Sequence, residues 1–258
     1  MKRYEIDINK YKSIKQINRG SYGDVHLAKN INTEEVFAAK VINQNSDIEE
    51  EKLKRMINHE IIILIHCQHP TIVKFYGFSF VDFLNHKNIT IFMEYMKNGS
   101  LADILTKSKT EEVENFDNTA RQIILVGIAR AMMFLHKHKV IHRDLKPGNV
   151  LLDDQLYPHL TDFGVSKIFA NKSTESQTYV AGTISYMAPE IINDQPINSK
   201  VDVYAFGILM YEVITNRPAY PELNNKSIFK IASEIGSGGR RPSFESLPPI
   251  KKSLKNLI

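Results

Sequence analysis

The tightest constraint on what this chain can fold into lies between Ile141 and Gly164, in IHRDLKPGNVLLDDQLYPHLTDFG. Val150, Leu151 and Leu152 form a short apolar run with the look of a buried strand. Asp153-Asp154 reads as a hairpin turn, and a return strand follows that ends in Thr161-Asp162-Phe163-Gly164. A hairpin of that length brings its two ends together, so Asn149 and Asp162 can face one cavity although thirteen positions separate them. Both carry oxygen donors of the kind that hard cations prefer. Asp144, just upstream, can take or orient a hydroxyl proton.

HRDLKPGN (His142 to Asn149) resembles the catalytic loop of protein kinases, and DFG (Asp162 to Gly164) resembles their metal-binding signature. Either tripeptide alone is weak evidence. The full run followed by DFG at a short interval is a specific signal, provided the remaining parts appear in order.

They do. Tyr11 to Ile42 alternates apolar segments with turn residues, as an antiparallel sheet does. Within it, INRGSYGDV resembles the kinase glycine-rich loop, with Gly20 and Gly23 at the second and third glycine positions and Asn18 where the first is usual. Asn tolerates positive φ better than other non-glycine residues, so the turn is expected to survive. The resemblance implies that Ile17, Asn18, Arg19, Gly20, Ser21, Tyr22, Gly23, Asp24 and Val25 cover a nucleotide. It also implies that Lys40, in the apolar strand VFAAKVI, holds its phosphates. A lysine snorkelling from a strand end is the plainer reading of Lys40 taken alone.

From Asp47 to Gln68 the period becomes helical, with Met56, Ile57, Glu60, Ile61 and Leu64 on one face. A carboxylate in an apolar stripe is costly unless paired, which makes Glu60 the natural partner of Lys40. Glu49, Glu50 and Glu51 suit the positive end of that helix and are expected to be solvated. His69–Ser79 and Asn88–Met96 read as further strands. The second holds Met93, Glu94 and Met96, which the resemblance places against an adenine together with Val25, Ala38 and Leu151. Asn98-Gly99 then breaks the pattern.

The remainder reads mainly as helix. Thr119–Lys137 puts Ile123, Ile124, Gly127, Ile128, Ala131 and Leu135 on one side. A polar stretch after the DFG, closing in GTISYMAPE (Gly182 to Glu190), resembles the activation segment. Asp202 opens a helix that is apolar on nearly every side. It is read as an N-cap, and by resemblance as a brace for the catalytic-loop backbone. The family's closing helices, and the arginine that pairs with Glu190 there, do not appear before Ile258.

Composition restricts the alternatives. In 258 residues, 43% hydrophobic and 24% charged, there is one cysteine, Cys67, so no internal disulfide can form. Its HCQH context is a poor tetrahedral metal site. A net charge of +4 from 33 basic and 29 acidic residues gives no reason to expect nucleic acid or membrane as a partner. With no apolar leader, the expected location is cytoplasmic.

Together these readings imply an α+β, bilobal protein-kinase-like domain over residues 11–258. The N-lobe (11–97) is expected to hold a five-stranded antiparallel sheet and one helix. The C-lobe (98–258) is expected to be mainly helical and to lack its last helices. The resemblance implies ATP and Mg²⁺ as cofactors, Asp144, Lys146 and Lys40 as catalytic residues, and Asn149 and Asp162 as metal ligands. HRDLKPxN, with Lys146 and Thr183, resembles the serine/threonine class, and YGF, NGSL and RRP resemble the tyrosine-kinase-like group. The partners implied are proteins phosphorylated on Ser or Thr, and an upstream kinase or a second copy acting on Ser173, Thr174, Ser176, Thr178 or Tyr179 next to Arg143. A pseudokinase scaffold, a dual-specificity or tyrosine kinase, and a small-molecule kinase of similar fold are the alternatives.

Overall fold

A computed structural model describes residues 2–20, 23–42, 50–163, 167–168, 184–221, 228–237 and 239–245. The chain divides into two units, Met1–Lys97 and Asn98–Ile258.

The first unit is built on a five-stranded sheet of β1 (Tyr11–Gly20), β2 (Gly23–Asn30), β3 (Val36–Ile42), β4 (Phe75–Ser79) and β5 (Thr90–Glu94). They lie in the order β1-β2-β3-β5-β4, with every pair antiparallel. The two later strands are shorter than the sequence suggests, because Ile72 and Val73 are buried without joining the ladder. As the central strand, β3 is covered on both faces, so Phe37, Ala38, Ala39, Val41 and Ile42 are all buried. Side chains alternate along it. Phe37 and Ala39 join Ile8, Ala28 and Phe92 in one core cluster, and Ala38 and Lys40 therefore point to the opposite face. Aromatic rings fill the first face: Tyr11 and Tyr76 meet Phe37 edge-on at 5.6 and 5.0 Å.

Helix α1 (Glu50–His66) buries Ile57, Glu60, Ile61 and Leu64 as its period predicts. Glu49 and the side chains of Glu50 and Met56 lie outside the described residues, and Glu51 is exposed.

Residues ahead of Tyr11 also pack on this sheet. Glu5 bridges Phe78 of the edge strand β4, and the Ile6 N–H donates to the Phe78 carbonyl at 2.8 Å. The Tyr4 ring sits 5.6 Å from that of Phe75. Covering an edge in this way removes a row of unpaired backbone groups.

In the second unit, α2 (Leu101–Lys107) starts at a capping box between Ser100 and Asp103. Helix α3 (Asn118–Lys137) starts at an Asp117 cap and buries Ile124, Gly127, Ile128, Ala131, Met132 and Leu135. Ile123 was expected on that side and is 40% exposed, because the buried stripe runs one position further round the helix. Two small ladders follow, β6 (Val140–Ile141) with β9 (Lys167–Ile168), and β7 (Val150–Leu152) with β8 (Pro158–Leu160). Then come α4 (Pro189–Ile192), α5 (Lys200–Thr215) and α6 (Ile228–Gly236). Tyr211 and Ile208 of α5 pack with Tyr220, Ile231 and Ile235.

Two outcomes test this packing. In Gly77→Ala the new Cβ falls 2.4 Å from the Tyr4 carbonyl oxygen and 2.7 Å from the Ile6 side chain. The expected cost is about 1–3 kcal/mol by chemical denaturation. Gly148→Ala, which meets nothing within 4 Å, is expected to shift stability by less than about 0.5 kcal/mol. Equal midpoints for the two variants would show that residues 2–10 do not seat on β4.

Asp82 supplies the second test. Burial pushes its carboxyl up, but donors from Asn88 at 2.8 Å and from the Leu84 and His86 N–H groups at 2.8 and 3.0 Å outweigh that and hold it below the usual range. A depressed folded-state pKa gives stability that is present above the unfolded value and lost as pH falls through the folded one. The advantage of wild type over Asp82→Ala should therefore be full at neutral pH and shrink below about pH 4. Urea melts at pH 7 and pH 3 giving the same difference would sink this assignment.

Candidate active site

The site residues expected from sequence fall into two sets, one in each unit. In the second unit the β7–β8 hairpin does the positioning. Leu152 N–H donates to the Gly99 carbonyl at 2.9 Å, Asn98 Nδ2 donates to the Asp153 carbonyl at 2.5 Å, and Leu151 bridges Ser100. These bonds pin the hairpin to the start of α2. At its open end, Thr161 N–H donates to the Asn149 carbonyl at 3.0 Å. Asp162 thus follows directly on a residue bonded to Asn149, and the hairpin brings the two ends together as its length requires.

Asp144 is held from several sides. Its Oδ2 accepts from Lys146 Nζ at 2.6 Å and from Asn149 Nδ2 at 2.8 Å, and the same amide donates to the Asp144 carbonyl at 2.8 Å. With Nδ2 committed twice, Oδ1 of Asn149 is the donor atom left for a cation. Asn149 is itself 6% exposed, so its orientation is fixed by bonding and packing.

Behind the loop stands His142, fully buried. Its Nε2 lies 3.0 Å from the Thr161 carbonyl, which only accepts, so Nε2 carries the proton and Nδ1 accepts the Asp144 N–H at 3.3 Å. The ring also sits 5.2 Å from that of Phe163. Asp202, in the first turn of α5 and 1% exposed, accepts from the N–H groups of His142 and Arg143 at 2.9 and 2.8 Å. His136 Nε2 donates to the same carboxylate at 2.8 Å. Arg143 and Asp162 hold positive φ, 68° and 65°. Non-glycine residues stay there only where surroundings over-determine them.

In the first unit, Lys40 Nζ lies 2.8 Å from Glu60 Oε1, with side chains 13% and 4% exposed. In the ladder Lys40 stands opposite Val25 and Ala38 opposite Met93. Met93 and Met96 are buried and Glu94 is half-buried. Asp24 accepts from Arg19 at 3.0 Å and from Gln16 at 2.9 Å. The tolerance of Asn18 for positive φ is not called upon. Asn18 lies in β1 opposite Val25, past a register shift, and its side-chain oxygen accepts the Arg19 N–H at 2.8 Å. Gly23 has a packing reason of its own, since a Cβ there would sit 2.0 Å from the Val41 carbonyl oxygen. Ile17 is exposed, Gly20 pairs with Gly23, and Ser21 and Tyr22 lie outside the described residues. So do Gly164, Thr183 and the five candidate phosphorylation positions.

Sequence reasoning missed His136. The signal was there, a histidine at the end of the apolar stripe of α3, but nothing in the period says which acid it meets.

A family model described as "Protein kinase domain" matches residues 11–258. A probable LRR receptor-like serine/threonine-protein kinase of Arabidopsis thaliana is 35% identical over 206 residues, 79% of this chain and 19% of that protein. Cysteine-rich receptor-like protein kinase 6 of the same plant is 36% identical over 213 residues, covering 81% of this chain and 30% of that protein. Protein kinase C-like 1B of Caenorhabditis elegans is 28% identical over 225 residues, 87% of this chain and 30% of that protein. The chain thus spans roughly a fifth to a third of these relatives. The cytoplasmic location expected from sequence is overturned, because several relatives are named receptor-like kinases. That expectation searched these 258 residues for a leader or span, and a domain forming one part of a longer relative need not contain either. Among the described residues no helix is long and apolar enough to cross a membrane. This chain belongs to the protein kinase domain family.

Proposed function

We propose that this chain transfers the γ-phosphoryl group of ATP to serine or threonine hydroxyls of protein substrates. The observation that carries the reading is the Asp144 carboxylate, held at 2.6 Å by Lys146 and at 2.8 Å by Asn149 on a loop whose backbone is bonded to buried Asp202. A carboxylate so fixed orients an incoming hydroxyl and accepts its proton late. Phosphoryl transfer has a loose transition state, so positioning matters more than basicity. Lys146 places a cation beside that hydroxyl and so favours a short acceptor side chain.

The oxygen donors of Asn149 and Asp162 suit Mg²⁺, a hard cation that binds through carboxylates and phosphates. Bound there, the metal would offset charge on the phosphates. Lys40, with its ammonium oriented by Glu60, would bind the α- and β-phosphates, and the Ile17–Val25 hairpin would cover them. In the first unit, Val25, Ala38, Met93, Glu94 and Met96 would contact the adenine. Arg143, next to the catalytic aspartate, is suited to a phosphate on the segment between Gly164 and Gly182, which would make activity depend on phosphorylation there by an upstream kinase or a second copy.

Mg²⁺-dependent transfer from ATP to a generic basic protein tests the central reading. Asp144→Ala is expected to lower kcat at least about 100-fold with an unchanged circular dichroism spectrum. Equal rates in the two proteins would refute it. Glu60→Gln should lower kcat/KM for ATP by about tenfold or more, because the buried ammonium of Lys40 loses its charged bond to Glu60. Replacing Ser173, Thr174, Ser176, Thr178 and Tyr179 together by alanine should depress activity. Full activity in that variant would rule out the phosphorylation switch.

A further inference from the structure

His136 and His142 stand six positions apart in the chain and end on the same atom. The ring Nε2 of His136, in the last turn of α3, donates to Oδ2 of Asp202 at 2.8 Å, and the backbone N–H of His142 donates to that oxygen at 2.9 Å. Between them the chain reverses. The Lys139 N–H donates to the His136 carbonyl at 3.0 Å, and Lys139 takes a positive φ of 61°. Val140 and Ile141 then run back as the buried strand β6. One carboxylate oxygen of α5 thus closes a ring that joins the end of α3 to the start of the His142–Asn149 loop.

The bond from His136 does more than satisfy the acid. Without it, Oδ2 still accepts from the His142 N–H, and Oδ1 from the Arg143 N–H at 2.8 Å, so each buried oxygen keeps a donor. Both of those donors belong to the loop itself, and the last torsion of an aspartate side chain is soft. Two such bonds would let carboxylate and loop shift together. The third donor comes from another element, a helix held in place by buried Met132 and Leu135 on either side of that turn. It fixes the carboxylate against α3, and with it the two N–H groups that precede Asp144. The Asp202 side chain is 1% exposed, so little water competes for the acceptor.

We propose that His136 is a positioning residue for phosphoryl transfer: acting through Asp202, it sets the direction in which Asp144 meets the acceptor hydroxyl. The inference rests on the kinase reading above and adds to it a residue outside the His142–Asn149 loop.

Two variants of the whole chain separate the bond from the space it fills. His136→Gln keeps an N–H donor the same number of bonds from the backbone, and His136→Met keeps the length without the donor. Urea melts establish that both are folded at the assay temperature. Two quantities are measured: amide hydrogen exchange at His142 and Arg143, and kcat and KM for ATP with a generic basic protein as acceptor. In His136→Met, exchange at both amides should rise about tenfold. Its kcat should fall about tenfold while KM for ATP changes less than about twofold. His136→Gln should recover most of both losses. Added to Asp144→Ala, His136→Met should lower the residual rate no further, because the group it directs is gone, whereas a merely structural histidine would cost the same factor in either background. Should His136→Met fail to fold, His136→Asn, whose amide is one bond short of the acid, replaces it with the same directions of change expected.

Unchanged exchange, an unchanged kcat, no recovery in His136→Gln, or an equal loss in the Asp144→Ala background would each overturn the positioning role. A wild type that transfers no phosphoryl group would overturn the kinase reading and that role with it, while faster exchange in His136→Met would still leave the clamp on the loop standing.

Discussion

The buried carboxylate of Asp202 is the constraint on which the His142–Asn149 loop depends. A carboxylate 1% exposed is tolerable only if its lone pairs are met, and here the N–H groups of His142 and Arg143 and the ring of His136 meet them. Two consecutive backbone N–H groups on one carboxylate turn the chain sharply, and Arg143 accepts a positive φ of 68° as a result. Asp144 is the next residue. Its direction is therefore set by a bond made at the far side of the loop, and the short contacts to Lys146 and Asn149 refine a geometry already imposed.

The same logic repeats in the first unit with a different pair. Lys40 and Glu60 are both largely buried, and a buried ion pair offers little net stability because desolvation offsets attraction. What it does provide is direction. Removing one half of a buried pair typically costs about 3–5 kcal/mol, so the two side chains hold each other in place. The burial that holds β3 and α1 in the core comes from their apolar residues, and the pair adds direction to it.

How much of this was legible in the sequence follows from the range of each interaction. The α1 stripe and the β7–β8 hairpin are local, written in period and turn residues, and both were readable. Ile123 was misjudged because a helical stripe has a soft edge, and only the neighbours decide which flank is covered. Asn18 does not use its tolerance of positive φ, because a register shift in β1 lets the chain stay extended there. The packing of residues 2–10 on β4 depends on Gly77, some seventy positions away, leaving room for the Tyr4 carbonyl. No local pattern encodes that. The link from His136 to Asp202 is invisible for the same reason: both residues are plain in the sequence, and their meeting depends on how α3 and α5 cross.

Helix α5 shows how far one element can carry such information. In the sequence its two acids merely interrupt an apolar run. In the fold they are its two working ends, about 15 Å apart at 1.5 Å per residue. Asp202 holds the His142–Asn149 loop at the start, and Glu212 holds Tyr186 and the Ala219 N–H near the finish. The turns between are buried through Ala205, Ile208, Leu209 and Tyr211, so the helix cannot slide or rotate without exposing apolar surface. Asp144 and Tyr186 lie far apart in sequence, yet both take their positions from this one rigid axis. A substitution in its apolar middle would disturb both ends together, whereas loss of either acid would disturb only its own.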